Sequence, residues 1–249
     1  MARRPQDADI IAWQPGDPVG GLPPADAVVA LWGVTPGAGR DLSLNTTLAL
    51  AAMDLAQAVG ARRVLHCSSA AVYPGGSVAA CESDAVAPWS PYGVEKARME
   101  AAVADWTRQR PGGPRACCLR MANVAGADSL FAALDRGGTI TLDRFPDGQG
   151  PRRSYLAPGD LAQAIGALLR LPAADLPEVV NLAGPTAVAM ADVVRAAGQE
   201  PAWRPAPEGA LPVMALSDRR GAALFGPLTD SADPARLVAQ WRALGKAVA

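Results

Sequence analysis

The chain has 249 residues, a formal net charge of -1, and half of its residues apolar. That length suffices for one large α/β body with a small appended lobe, and the near-neutral charge gives nucleic acid or an acidic membrane surface no electrostatic footing as a partner. No apolar stretch approaches the ~20 residues of a membrane span, and Met1-Ala-Arg-Arg-Pro5 lacks the apolar core of a secretion signal.

In chain order, residues 9–13 read as a short strand and are followed by a Gly/Pro loop to residue 24. Residues 28–32 form an apolar run of the kind that parallel sheets bury. Residues 42–59 have helical apolar spacing and stop at Gly60, and residues 63–67 form the next strand. Residues 73–89 are expected to be a loop across the mouth of a site, and residues 92–109 a long helix ended by Pro111-Gly-Gly-Pro114. Residues 116–121 return as a strand, so strands and helices alternate as in a parallel sheet wound on both faces. Beyond Asn123 the spacing predicts helices over 129–136, 159–171, 191–198, 217–224 and 234–244, and strands over 139–142 and 178–182. Residues 201–212 read as irregular. No internal repeat is present.

Cys67, Cys81, Cys117 and Cys118 show neither metal-ligand nor disulfide spacing, and the adjacent pair points to opposite faces of a strand. The expectation is a reduced, cytoplasmic setting and no metal. His66, the single histidine, reads as a core residue satisfied by hydrogen bonds, and the six tryptophans as packing residues. Trp89 is placed to line a pocket.

The chemistry concentrates in Ser90-Pro-Tyr-Gly-Val-Glu-Lys-Ala-Arg-Met-Glu100. Tyr92 and Lys96, four residues apart, share one helix face. A tyrosine titrates near ~10 by itself, and a fixed cation beside it favours the phenolate. Upstream, Ser68-Ser69-Ala-Ala-Val-Tyr-Pro74 closes an apolar run, and a serine there can hold the oxygen that the tyrosine protonates. The plain alternative is a solvated helix face.

These residues, together with blocks at 25–32, 45–56, 63–69, 120–126, 152–160 and 180–184 in that order, resemble the extended short-chain dehydrogenase/reductase superfamily, in its NAD-dependent epimerase/dehydratase group. The resemblance implies a Rossmann-like doubly wound parallel sheet over residues 1–124, with returning segments near 155–185. It also implies a small C-terminal α/β substrate lobe, mainly residues 125–249. Hydride would move between a substrate carbon and NAD or NADP, with Tyr92 as acid/base and Lys96 also holding the nicotinamide ribose. Ser69 would orient the substrate, Ser68 being the alternative serine. Trp32 and Asn45 are expected at the cofactor, Asn123 and Arg153 at a small-molecule substrate such as a nucleotide sugar. Bland readings stay open for several of these: Asn45 as a helix N-cap, Asn123 as a turn former, Arg152 and Arg153 as solvated surface residues. A homodimer is expected through the tyrosine-bearing helix, where Met99, Val103 and Trp106 make an apolar stripe that could equally face the sheet.

One block of the family pattern is not in the sequence. No G-x-x-G-x-x-G turn is present. Gly33-Val-Thr-Pro-Gly-Ala-Gly39 has the wrong spacing and a proline, and reads as an ordinary loop. Asp54, the acid nearest the ribose-binding position, falls inside a helix. The first βαβ unit is therefore expected to be missing, which leaves a cofactor-free relative acting as a binding or regulatory protein as the second reading, and a trimmed start as a third.

Overall fold

A computed structural model describes residues 11–247 of the chain. Residues 9 and 10 of the strand expected at 9–13 lie outside the described residues, and residues 11–13 carry no strand. The first half runs β1 (Ala27–Ala30), α1 (Leu44–Ala58), β2 (Arg63–Ser69), β3 (Gly76–Ala80), α2 (Pro91–Gln109) and β4 (Arg115–Met121). Then come β5 (Asn123–Val124), α3 (Ser129–Arg136), β6 (Thr141–Arg144), β7 (Arg152–Arg153), β8 (Tyr155–Leu156), α4 (Pro158–Arg170) and β9 (Val179–Leu182). The last part holds β10 (Val188–Ala189), α5 (Met190–Ala196), β11 (Ala202–Pro205), β12 (Val213–Leu216), α6 (Arg219–Phe225) and α7 (Pro234–Ala247).

The central sheet is parallel throughout, in the order β1-β2-β4-β9. Its strands are apolar on both sides because both faces are covered. Val64 and Cys118 point into one core layer with Met53 of α1 and Met99, Val103 and Trp106 of α2. Leu65, Cys117 and Leu119 point the other way, onto Ala164 and Leu168 of α4. The two adjacent cysteines thus divide between the faces as their spacing requires. Leu119 and Leu182 are fully buried, each worth about 1.5–3 kcal/mol of hydrophobic stabilisation. Arg63, buried at the start of β2, donates from Nη1 to the Leu168, Leu169 and Leu171 carbonyls and so satisfies the end of α4. A separate core under α3, α5 and α7 gathers Phe131, Tyr155, Val193 and Leu237.

Two expectations are corrected. Residues 73–89 are not all loop, because β3 pairs with β12 in a second sheet ordered β10-β7-β12-β3. Residues 201–212 are not all irregular, because β11 pairs with β6. Both strands are Gly/Ala/Pro-rich and are made by partners distant in sequence, not by local propensity. Of the two readings of the Met99, Val103 and Trp106 stripe, the one that faces the sheet holds: all three side chains are buried between α2, α1 and the sheet. Among the described residues, no helix is long and apolar enough to cross a membrane.

Candidate active site

The site forms where β2 ends and α2 begins. Ser90 caps α2, its hydroxyl accepting from the Gly93 N–H at 3.1 Å, with Pro91 in the first turn. Gly93 is there for contact: a Cβ at that position would lie 2.1 Å from the Ala71 carbonyl oxygen. Without a side chain, the helix start presses on the turn Ala70–Val72 that follows Ser69. Ser69 caps that turn, its Oγ accepting from Ala71 N–H at 3.2 Å. Tyr92 lies one residue before that contact, near enough to Ser69 for its hydroxyl to act on the phenol.

Burial pushes the Tyr92 phenol up to about 12; the Cys67 thiol adds to the rise and the Ser69 hydroxyl pulls against it. This corrects the expectation that the lysine sets the phenol's acidity. Lys96 Nζ lies 5.8 Å from the Tyr92 ring centroid and donates to the Cys67 carbonyl at 2.7 Å. Its side chain is 1% exposed, and burial lowers its pKa despite opposing contributions from Cys67, Cys118 and Glu100. One carbonyl uses one of the three ammonium N–H groups.

Asn45 is not the helix N-cap, a position held by Ser43. Buried in the first turn of α1, its amide instead closes the preceding loop: Oδ1 accepts from Val34 N–H at 3.1 Å, and Nδ2 donates to the Val34 and Leu42 carbonyls, both at 2.9 Å. It borders Lys96 across Gly33, where a Cβ would lie 2.9 Å from Asn45 Oδ1 and 3.2 Å from Lys96 Nζ. Trp32 stacks on Trp13 at 6.1 Å, and the buried indole N–H of each has no partner. Trp32, Asn45, His66 and Cys67 line a cavity of about 10 Å³, room for a single water at most.

Asn123 and Arg153 are not in this cluster of contacts. Asn123 Nδ2 donates to Asp128 Oδ2 at 2.8 Å, and Asp128 caps α3 through the Phe131 N–H. Arg153 does not stand free as a phosphate fork: it donates to the Arg152, Leu211 and Pro212 carbonyls and ties β7 to the segment before β12. Arg152 donates to the Ala187 carbonyl. The sequence reading also missed Gly93, Glu100, Arg120 and Tyr73. Glu100 had a legible signal, since it continues the Tyr92–Lys96 face by another four residues.

A family model described as the NAD dependent epimerase/dehydratase family matches residues 26–183. Among solved structures, MoeE5 in complex with UDP-glucose and NAD is similar over 93% of this chain and 83% of its own, at 22% identity and a TM-score of 0.75. A variant of UDP-glucuronic acid 4-epimerase from Bacillus cereus, in complex with a fluorinated UDP-sugar and NAD, matches over 92% of this chain and 78% of its own, at 17% identity and a TM-score of 0.75. TunA, an NAD-dependent NDP-hexosamine 5,6-dehydratase of tunicamycin biosynthesis, matches over 92% and 82%, at 19% identity and a TM-score of 0.71. These likenesses establish a shared α/β fold. No curated protein sequence matches the chain.

For a nicotinamide dinucleotide, the two ends of the molecule meet different conditions here. At the reacting end, Tyr92, a lysine with uncommitted N–H groups, an orphaned indole N–H and a glycine that leaves space beside Lys96 form a suitable donor set. For the pyrophosphate end, the start of α1 is not available. The N–H groups that open α1 are occupied by the Asp41, Leu42 and Ser43 carbonyls, so this helix start offers no phosphate cradle.

Proposed function

We propose, for a chain that belongs to the NAD dependent epimerase/dehydratase family, that Ser69, Tyr92 and Lys96 act together on the hydroxyl-bearing or carbonyl carbon of a nucleotide sugar. The observation that carries this reading is a buried ammonium one helical turn from a half-buried phenol and 5.8 Å from its ring, with the Ser69 hydroxyl close enough to draw that phenol's pKa down. A phenol held near 12 is protonated at neutral pH, so Tyr92 stands ready as the acid that delivers a proton to a carbonyl oxygen. Ser69 orients that oxygen. In the opposite direction the Tyr92 phenolate takes the hydroxyl proton. NAD or NADP, when bound, supplies or accepts the hydride, which no side chain of the chain can do. Lys96 would hold it at the ribose, with Trp32 and Asn45 as walls; Asn123 and Arg153 would stand on the substrate side, in a lobe formed mainly by residues 125–249.

The second reading, a cofactor-free binding or regulatory protein, is favoured by the loop that Asn45 closes and by the small size of the cavity that Asn45 and Trp32 line. Isothermal titration with NAD, NADP and UDP-sugars separates the two. Micromolar binding of either dinucleotide is the expected result. No heat at millimolar dinucleotide, with a UDP-sugar still binding, would replace the first reading by the second.

A further inference from the structure

Ser69 is gripped from both of its neighbours. Before it, the buried Ser68 hydroxyl donates to the Glu100 carboxylate. After it comes the turn that Ser69 caps, which ends at Tyr73. The Tyr73 hydroxyl accepts from Arg120 Nη1 at 2.8 Å and donates to Asn181 Oδ1 at 2.9 Å, and the guanidinium lies 4.8 Å over its ring. Glu100 and Arg120, which make these two grips, are joined to each other by a fork: Nη2 to Oε2 at 2.7 Å and Nε to Oε1 at 3.0 Å. Their side chains are 10% and 5% exposed. Glu100 also shares the α2 face of Tyr92 and Lys96, and two of these turns hold the end of β2 by hydrogen bond, Lys96 at the Cys67 carbonyl and Glu100 at the Ser68 hydroxyl, while Tyr92 stands near enough to Ser69 for its hydroxyl to lower the phenol's pKa.

We infer that the Glu100–Arg120 pair is the clamp that positions Ser69 against Tyr92, its two members acting as positioning residues through Ser68 and Tyr73. A buried ion pair is weak evidence for stability, since well-packed apolar side chains commonly replace one without loss. In some proteins such a pair fixes geometry instead of adding stability, and here each member makes its outer hydrogen bond to a residue flanking Ser69, Ser68 on one side and Tyr73 at the end of the turn on the other. The clamp reaches further: Asn181 Nδ2 donates to the Ala80 and Ser217 carbonyls, and its N–H donates to Glu82 Oε1. The ends of β3 and β12 are thus tied to the same network.

The inference gives a role in turnover only if the acid/base reading of Tyr92 holds, but the contact can be read without turnover. The chain contains three tyrosines, so tyrosine labelled with carbon-13 at Cζ gives three resonances, assigned with Tyr92→Phe. At neutral pH, Ser69→Ala defines the displacement of the Tyr92 resonance when the hydroxyl is lost. Ser68→Ala and Glu100→Gln are expected to move it at least half as far. A smaller movement in folded Ser68→Ala, with only the melting temperature lowered, would overturn the clamp, and so would Ser69→Ala leaving the resonance in place. Should Glu100→Gln fail to fold, Ser68→Ala decides, because it leaves the ion pair intact. Expected displacements combined with an active Tyr92→Phe would sink the acid/base reading alone.

Discussion

Tyr92→Phe should lower turnover of a nucleotide-sugar substrate by about 10²–10⁴-fold, with affinity for that substrate and the melting temperature close to wild type. The substitution removes one oxygen and little else. The ring remains packed at the start of α2, where Ser90, Pro91 and Gly93 fix the backbone independently of the hydroxyl. What disappears is the proton donor whose pKa the Ser69 hydroxyl draws down. A loss confined to kcat identifies an interaction made in the transition state, whereas a rise in KM at constant kcat would identify Tyr92 as a binding residue only. A variant that keeps most of its activity refutes the assignment.

Stability should fall as pH drops from about 6.5 towards 4, through the single histidine. His66 is 1% exposed, with Nε2 3.2 Å from Met53 Sδ, and burial together with the Lys96 charge lowers its pKa from 6.5 to about 4. Between those values the unfolded chain binds a proton that the folded chain refuses. The contribution is therefore fully present above pH 6.5 and is lost as pH falls through the folded value. The gap corresponds to about 3 kcal/mol. Urea unfolding at pH 7.5 and 4.5 measures it, with His66→Gln as the control in which this slope should vanish. Equal wild-type stability at both pH values would mean that His66 accepts its proton without unfolding.

Much of this site could be read in the sequence because its spacing is local. Tyr92 and Lys96 are one helical turn apart, so periodicity puts them on one face, and the resemblance to the family adds Ser69 at the end of an apolar strand. The parallel sheet was legible for a different reason: residues 28–32, 63–67 and 116–121 are mostly apolar runs, and β2 and β4 bury side chains on both faces. Contacts between distant segments were not legible. The partners of β3 and β11 lie far along the chain, and the joining of Glu100, Arg120 and Tyr73 depends on how α2 settles over β4 and the turn after Ser69. Glu100 was nonetheless one face-repeat away from detection. The acidity of Tyr92 was misjudged because spacing shows the nearby cation but not the desolvation, and here desolvation dominates. Arg153 shows the same limit: a sequence gives a guanidinium, and only the fold shows that backbone carbonyls already occupy it.

The most direct measurement is a crystal structure of the chain grown with UDP-glucose. One sugar oxygen should lie within hydrogen-bond distance of both Ser69 Oγ and Tyr92 Oη, with Lys96 Nζ beside them. A sugar bound with its reactive hydroxyls away from both oxygens would contradict the assignment of this corner as the reacting centre.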